Sequence, residues 1–299
     1  MTPFAWMCVV FVVLLLIRIP VAFAIAIAAF AGYAAVPDPF GSKTAYGLLT
    51  DMTGGVHKIA LIAIPFFILA GRIMGSGGIA RRLIALSNAI IGWVRGGTGY
   101  VNVLASMFFG GVSGSAVADV SSIGSILIPL MDEEGYDREF ATAVTVSSST
   151  IGLIIPPSNV MILYAVVAGG AGAAGAYRHV ELGIGTMFLA GLLPGVVIGM
   201  ALMLAVGVLS AMRGYPKGTW RGVGHAVRCV GRAVFALAVV AIILGGILFG
   251  FLTAADSAAV AVVVALAVGI FIYRELPIRE VPGIFREAVV TTGVVFFLI

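Results

Sequence analysis

The sequence predicts an all-α polytopic membrane protein, and three observations carry that prediction. Of its 299 residues 61% are apolar and only 10% charged, where soluble domains average about half and about a quarter. Mean hydropathy is +1.17. Too few polar side chains remain to cover a water-facing surface, which excludes a soluble globular protein. Apolar stretches of spanning length, about 20 residues, recur along the whole chain. Three further segments do not behave as ordinary spans: one is amphipathic, and two break the helix within the membrane, where non-helical backbone is tolerated only if protein or a wet cavity surrounds it. Collagen is excluded because the 40 glycines have no three-residue period. The net charge of +4 reflects loop topology rather than a nucleic-acid partner. Cys8 and Cys229 have no CxxC or metal-ligand spacing, so neither a disulfide framework nor a zinc site is expected. His57, His179 and His225 are equally scattered. With an uncharged start and apolar character along the chain, no secretory signal ahead of a soluble body is expected.

The first apolar stretch, 3–36, is too long for one comfortable span. Arg18 and Pro20 divide it into helices 3–17 and 20–36, with one long kinked helix as the alternative. Further spans fall at 57–75, 185–212, 233–252 and 254–273, and another helix starts near Ala288 and is still apolar at Ile299. Within 185–212, Gly191, Gly195 and Gly199 form a strip that lets another helix approach closely. Residues 79–97 are amphipathic: Arg81, Asn88 and Arg95 share one face, and Ile79, Leu83, Ile90 and Val94 another. Such a helix suits the membrane interface; a solvated cytoplasmic helix is the alternative. Residues 98–131 have GGVSGS at their centre, with arms of about 14–16 residues, or roughly 21–24 Å of helix. Neither arm crosses a core of about 30 Å, so a re-entrant hairpin is expected. Residues 139–168 are long enough to span, but Pro156 and Pro157 leave the carbonyls of Gly152 and Leu153 without helical partners. The prolines also push Ile155 and Pro156 out of the α region. Two half-helices joined by an unwound IPPS link follow.

With the N-terminus outside and the hairpin entering and leaving on the inside, Lys43, Lys58 and Arg178 are outside and the other 14 basic residues inside. That is the bias of the positive-inside rule. Eleven of the 13 acidic residues lie in predicted loops or at helix ends. Asp256 opens a span just after Thr253, where an acid complements the helix dipole, so its role is structural. Asp119 lies inside the hairpin, one turn beyond the Ser113, Gly114, Ser115 tip, and an intramembrane carboxylate is a functional candidate by default. Hydroxyl and carbonyl oxygens with one carboxylate suit a small hard cation rather than zinc or copper. The alternative is that Ser113 and Ser115 only relieve close packing. The broken helix is complementary: its inner half ends at Ile155 with free carbonyls that favour a cation. Its outer half starts at Ser158 with free N–H groups that favour a carboxylate. Secondary transporters build coupled ion and substrate sites from such half-helices. Gly111, Val112, Ser113 and Gly114 also match the GxSG of rhomboid-type intramembrane serine proteases, but that chemistry needs a histidine base beside the serine. None of the three histidines lies at membrane depth. An aspartyl protease would need a second intramembrane aspartate, and the interrupted helices favour alternating access over a channel.

At these residues the chain resembles the large permease subunit of TRAP transporters, the DctM-like family. The matching stretches are IPFFILAGRIM at 64–74, GGIARRL at 77–83, FFGGVSGSAVAD at 108–119, IGSILIPLM at 123–131, IIPPS at 154–158, LAGLLPG at 189–195 and YREL at 273–276. They occur in family order over nearly the whole chain. The resemblance implies an elevator-type ion-transporter fold of two inverted repeats in a bacterial inner membrane. It implies sodium-driven import of an organic acid, such as a C4-dicarboxylate or a sialic-acid-like carboxylate. The acid is delivered by a periplasmic binding protein, and a small permease subunit is the membrane partner. No other cofactor, no catalytic residue and no nucleic-acid partner is implied. Ser113, Ser115 and Asp119 align with sodium-site positions of the hairpin. With Gly114, Gly152 and Leu153 they make up the expected cation set, and Pro156, Pro157, Ser158 and Asn159 the substrate or hinge region. On this reading 1–76 are scaffold helices, 77–97 an interfacial arm and 98–175 the transport element. Residues 176–232 are a closing helix and linker, and 233–299 the start of a second repeat. Departures from the family pattern are Thr253-Ala254-Ala255-Asp256 in place of TPTE, Asn159 for an apolar residue, and a long run at 169–185. The second repeat is expected to be incomplete and the 299 residues alone not to transport. The alternatives are an elevator-type anion transporter without a binding protein, or an intramembrane serine protease.

Overall fold

The computed structural model describes residues 2–35, 59–171, 183–220 and 222–298. Lys43, Lys58, Arg178, His57 and His179 lie outside the described residues. The described chain is helical, with no strand; an isolated bridge pairs Arg95 with Lys217. It divides into two compact units, residues 1–58 with 290–299, and residues 59–289.

In the smaller unit, α1 (Pro3–Leu16) and α2 (Val21–Ala34) are the two expected short helices. Thr2 caps α1 by accepting the Ala5 N–H at 3.3 Å, and Pro3 opens it at a position where no N–H is needed. Arg18, at φ 66°, and Pro20 make the break. Phe23 and Phe297 meet edge to face at 5.3 Å.

The larger unit opens with a 3-10 turn, Ile59–Ile62, and α3 (Ala63–Ser76). A 68° bend at Gly77 and Gly78 leads into α4 (Ile79–Ile91), the amphipathic element. It ends six residues before the expected 97, where the Gly92 N–H closes on the Asn88 carbonyl at 2.9 Å and a turn begins. The hairpin consists of α5 (Gly97–Ser113), α6 (Ala116–Asp119), a π turn (Val120–Gly124) and α7 (Ser125–Glu133). The broken helix is α8 (Arg138–Ser149) with a 3-10 extension (Thr150–Leu153), the proline link, and α9 (Asn159–Ala171).

Helix α10 (Ile184–Arg213), α11 (Val223–Leu248) and α12 (Ala254–Ala267, continued by a π turn to Ile272) are long and apolar enough to cross a membrane. Apolar side chains such as Leu193 and Leu204 stay exposed on α10, which suits contact with lipid. Helix α11 begins ten residues before the expected 233. The added turns carry His225, Arg228 and Arg232, whose polarity hides them from a hydropathy reading although Cys229 is buried on their inner face. The last helix, α13 (Val281–Leu298), starts seven residues before Ala288 for the same reason, since Arg286 and Glu287 lie in its first turns. Glu287 is ion-paired with Arg72 of α3. At the start of α12 the Thr253 hydroxyl accepts the Asp256 N–H while the Asp256 carboxylate accepts the Thr253 N–H. This capping box is the structural role expected for Asp256.

Candidate functional site

The hairpin closes on itself at its mouth. Thr98, at the start of α5, is hydrogen-bonded to Glu134 just past α7, and one turn further in the Asn102 amide reaches the Met131 sulfur at 3.7 Å. The two arms therefore enter and leave on the same side. At the tip Gly114 takes φ +59°, left-handed backbone that a side chain strains, and its N–H caps α5 on the Gly110 carbonyl at 2.9 Å. Ser115 restarts the chain by accepting the Ala118 N–H on its hydroxyl at 3.4 Å, and the buried Ser113 hydroxyl donates to the Ser115 carbonyl at the same distance. Gly71 of α3 lies directly against the Ser113 backbone.

The proline link meets this tip. A Cβ on Gly114 would fall 2.8 Å from the Pro157 carbonyl oxygen and 3.2 Å from the Asn159 nitrogen. One turn back, Gly110 and Gly152 cross backbone to backbone, so a Cβ on Gly110 would lie 2.5 Å from the Gly152 Cα. Ser158 is wholly buried and joins the two halves of the broken helix. Its hydroxyl donates to the Leu153 carbonyl at 2.6 Å and accepts the Met161 N–H at 3.4 Å, capping α9. The expected run of free carbonyls is thus corrected in part, because Ser158 replaces the donor that the prolines remove from Leu153. Gly152 still faces Pro156 four residues on, which has no N–H. The Pro156-Pro157 peptide is cis. Behind the link, Gly191 and Gly195 of α10 touch Ile154 and Ile155, and Gly199 touches Met107 of α5, the close approach expected of the strip.

A buried polar seam that the sequence reading missed joins α5 to α8. The Asn102 amide donates to the Thr145 hydroxyl at 2.7 Å, and Thr145 donates to the Ala141 carbonyl at 2.8 Å. Ser148 reaches the Ser106 hydroxyl at 3.2 Å, and Ser149 donates to the Thr145 carbonyl at 2.8 Å. All five side chains are fully buried. A readable signal was present: residues 102, 106 and 110, and 145, 149 and 152, put small or polar groups on one face of each helix. Asp119 is also fully buried, with the Ser149 and Ser106 hydroxyls as its polar neighbours. Among the described residues neither of its carboxylate oxygens has a hydrogen-bond partner of good geometry, a costly arrangement for an ionised group. No side-chain bond ties Asp119 to Ser113, Ser115, Gly152 or Leu153. The expected cation set therefore falls into two neighbouring parts: Ser113, Gly114 and Ser115 against Pro157, Ser158 and Asn159, and Asp119 against the seam. The buried side-chain oxygen of Asn159 likewise has no partner among the described residues.

Interrupted helices that meet tip to link beside a buried carboxylate, within a multi-pass helical protein, define the class of membrane transport proteins. The chain belongs to the family described as the DctM component of the tripartite ATP-independent periplasmic transporters, which matches residues 8–299. It is similar to the uncharacterised protein YgiK of Salmonella typhimurium, 37% identical over 290 residues, covering 97% of this chain and 63% of that protein. It is 39% identical over 216 residues to the C4-dicarboxylate TRAP transporter large permease protein DctM of Vibrio cholerae, covering 72% of this chain and 45% of the relative. Against the sialic acid TRAP transporter large permease protein SiaM of the same organism the figures are 34% over 252 residues, 83% and 56%. The chain thus spans between 45% and 63% of the length of these relatives.

Proposed function

We propose that the chain acts as the translocating large permease subunit of a sodium-coupled importer of organic acids in a bacterial inner membrane. A periplasmic binding protein would deliver the acid, and a small permease subunit would complete the membrane part. The observation that carries this reading is the buried, unpartnered Asp119 carboxylate next to a hairpin tip packed on a proline-broken helix. A carboxylate in that position needs a proton or a cation, and the Ser106 and Ser149 hydroxyls beside it are hard oxygen donors suited to a small cation. Ser113, Gly114, Ser115 and the Gly152 and Leu153 carbonyls supply further oxygens around the tip. The N-terminal end of α9, with Ser158 and Asn159, offers a positive dipole end to a substrate carboxylate. In the elevator mechanism that we assign, the hairpin and broken helix, 98–175, carry the bound acid past the helices of 1–76. The names of relatives point to C4-dicarboxylates and sialic acid as model substrates. No observation favours the protease reading: the described histidine, His225, lies on α11 beside Cys229 at 3.5 Å.

Sodium-dependent thermal stabilisation of the purified chain tests the ion assignment directly. A cation at 100 times its Kd adds about 2.7 kcal/mol. Asp119→Asn should remove that increment while the unliganded protein stays folded. Equal stabilisation by potassium, or an unchanged sodium response in Asp119→Asn, would refute the assignment. Uptake into liposomes driven by a sodium gradient, dependent on added binding protein and small subunit, and measured with the chain as given and with a chain extended through a second hairpin and a second broken helix, tests the remainder.

A further inference from the structure

A cleft of about 610 Å³ lies away from the hairpin, between α4, the start of α11 and the end of α12. Arg81, Arg82 and Arg232 line it, against one carboxylate, Glu275. Glu275 binds Arg82 at 2.8 Å and reaches Arg81 only at 3.5 Å. No ion pair holds the exposed Arg232 among the described residues, so the cleft carries three positive charges against one negative. Its wall is fixed in place. The Arg82 guanidinium stacks over the Tyr273 ring at 3.6 Å, and the Tyr273 hydroxyl donates to the Arg232 carbonyl at 2.9 Å. The rest of the lining mixes the polar Asn88 and His225 with apolar side chains, among them Phe235 and Ile272, half-exposed beside the arginines. The amphipathic α4, suited to the membrane interface, forms one side.

A cationic end beside exposed apolar side chains matches a molecule with a phosphate headgroup and acyl chains. We infer that this cleft binds the phosphate of an anionic phospholipid, held by Arg81 and Arg232 while Arg82 and Tyr273 keep the site in shape. A free phosphate shares the headgroup chemistry but leaves Phe235 and Ile272 without a partner, so the lipid is the occupant. Arginine suits the task because its planar fork binds phosphate oxygens in pairs. Basic pockets between helices at the cytoplasmic face are where anionic headgroups dock. The positive-inside orientation puts all three arginines on that face.

The test is native mass spectrometry of the 299-residue chain in neutral detergent, titrated in separate arms with phosphatidylglycerol, phosphatidylcholine and inorganic phosphate. Phosphatidylglycerol should be retained in preference to phosphatidylcholine. Arg81→Gln and Arg232→Gln, both exposed and free of packing duties, should each weaken retention about fivefold, following about 1 kcal/mol per basic residue near an anionic surface. Glu275→Gln should strengthen it by removing the competing carboxylate, a sign that loss of structure would not produce. Equal retention of the two lipids, or phosphatidylglycerol retention indifferent to all three substitutions, would overturn the inference. Inorganic phosphate that displaces phosphatidylglycerol at equal concentration would also overturn it, since the acyl chains would then contribute nothing.

Discussion

Gly110→Ala tests the crossing on which the whole site rests. The new methyl would lie 2.5 Å from the Gly152 Cα, where carbon atoms prefer about 3.5–4.0 Å. The two backbones would have to part by about 1 Å. Neither is a flexible side chain that can turn aside, so the cost belongs at the top of the overpacking range, about 3 kcal/mol. Alanine recovers about 1 kcal/mol over glycine inside a helix, which leaves a net loss of about 2 kcal/mol. Two turns away, parting of the helices would also stretch the 2.7 Å Asn102–Thr145 bond. Gly231 on α11 is the control: it too is helical, but nothing lies within 4 Å of its would-be Cβ, so Gly231→Ala should be stabilising by about 1 kcal/mol. Thermal unfolding in one detergent, followed by near-ultraviolet circular dichroism, reads both. At about 2–4 °C per kcal/mol, Gly110→Ala should melt about 4–8 °C below the parent and Gly231→Ala slightly above it. A Gly110→Ala protein that melts with or above the parent, while Gly231→Ala behaves as expected, would refute the close crossing of hairpin and broken helix.

Two further substitutions separate scaffold from site. The Tyr215 hydroxyl and the Arg213 guanidinium, each 2.6 Å from Asp137, hold its carboxyl below the usual aspartate range. A group whose folded pKa is depressed stabilises the fold above its unfolded value, about pH 4, and loses that contribution as pH falls through the folded value. Hydrogen-exchange protection around Tyr215, taken relative to the intrinsic rate at each pH, should therefore be high at pH 6 and fall below pH 4, and Asp137→Asn should be weakly protected at both; full protection in Asp137→Asn at pH 6 would count against the clamp. Asp256→Ala should lower the melting temperature slightly, through loss of its 3.2 Å and 2.6 Å bonds to Thr253 in the capping box. The sodium response should be unaltered in that variant, and its disappearance would give Asp256 a part in ion binding.

What the sequence made legible follows from the physics of each signal. Backbone chemistry announces itself: Pro156 and Pro157 remove two N–H groups wherever they are placed, and the chain breaks there. The Gly114 turn and the breaks at Arg18 and Gly78 are equally local. Helix ends that leave the apolar zone are not legible by hydropathy, which is why α11 and α13 begin earlier than their apolar runs suggest. The polar seam was hidden for a different reason. Serine and threonine inside an apolar helix read as neutral packing residues until a second helix with the same spacing is brought opposite, and that pairing is a tertiary fact. Asp119 was legible because a carboxylate at membrane depth has no neutral explanation. Its setting was not, because Ser106 and Ser149 lie 13 and 30 residues away in sequence. The glycine crossing connects the two kinds of signal. Only where Gly110 and Gly152 let the backbones touch can short hydroxyl side chains on both helices reach one another and the carboxylate between them. The small residues that look like mere packing thus set the distance at which the polar chemistry of the site becomes possible.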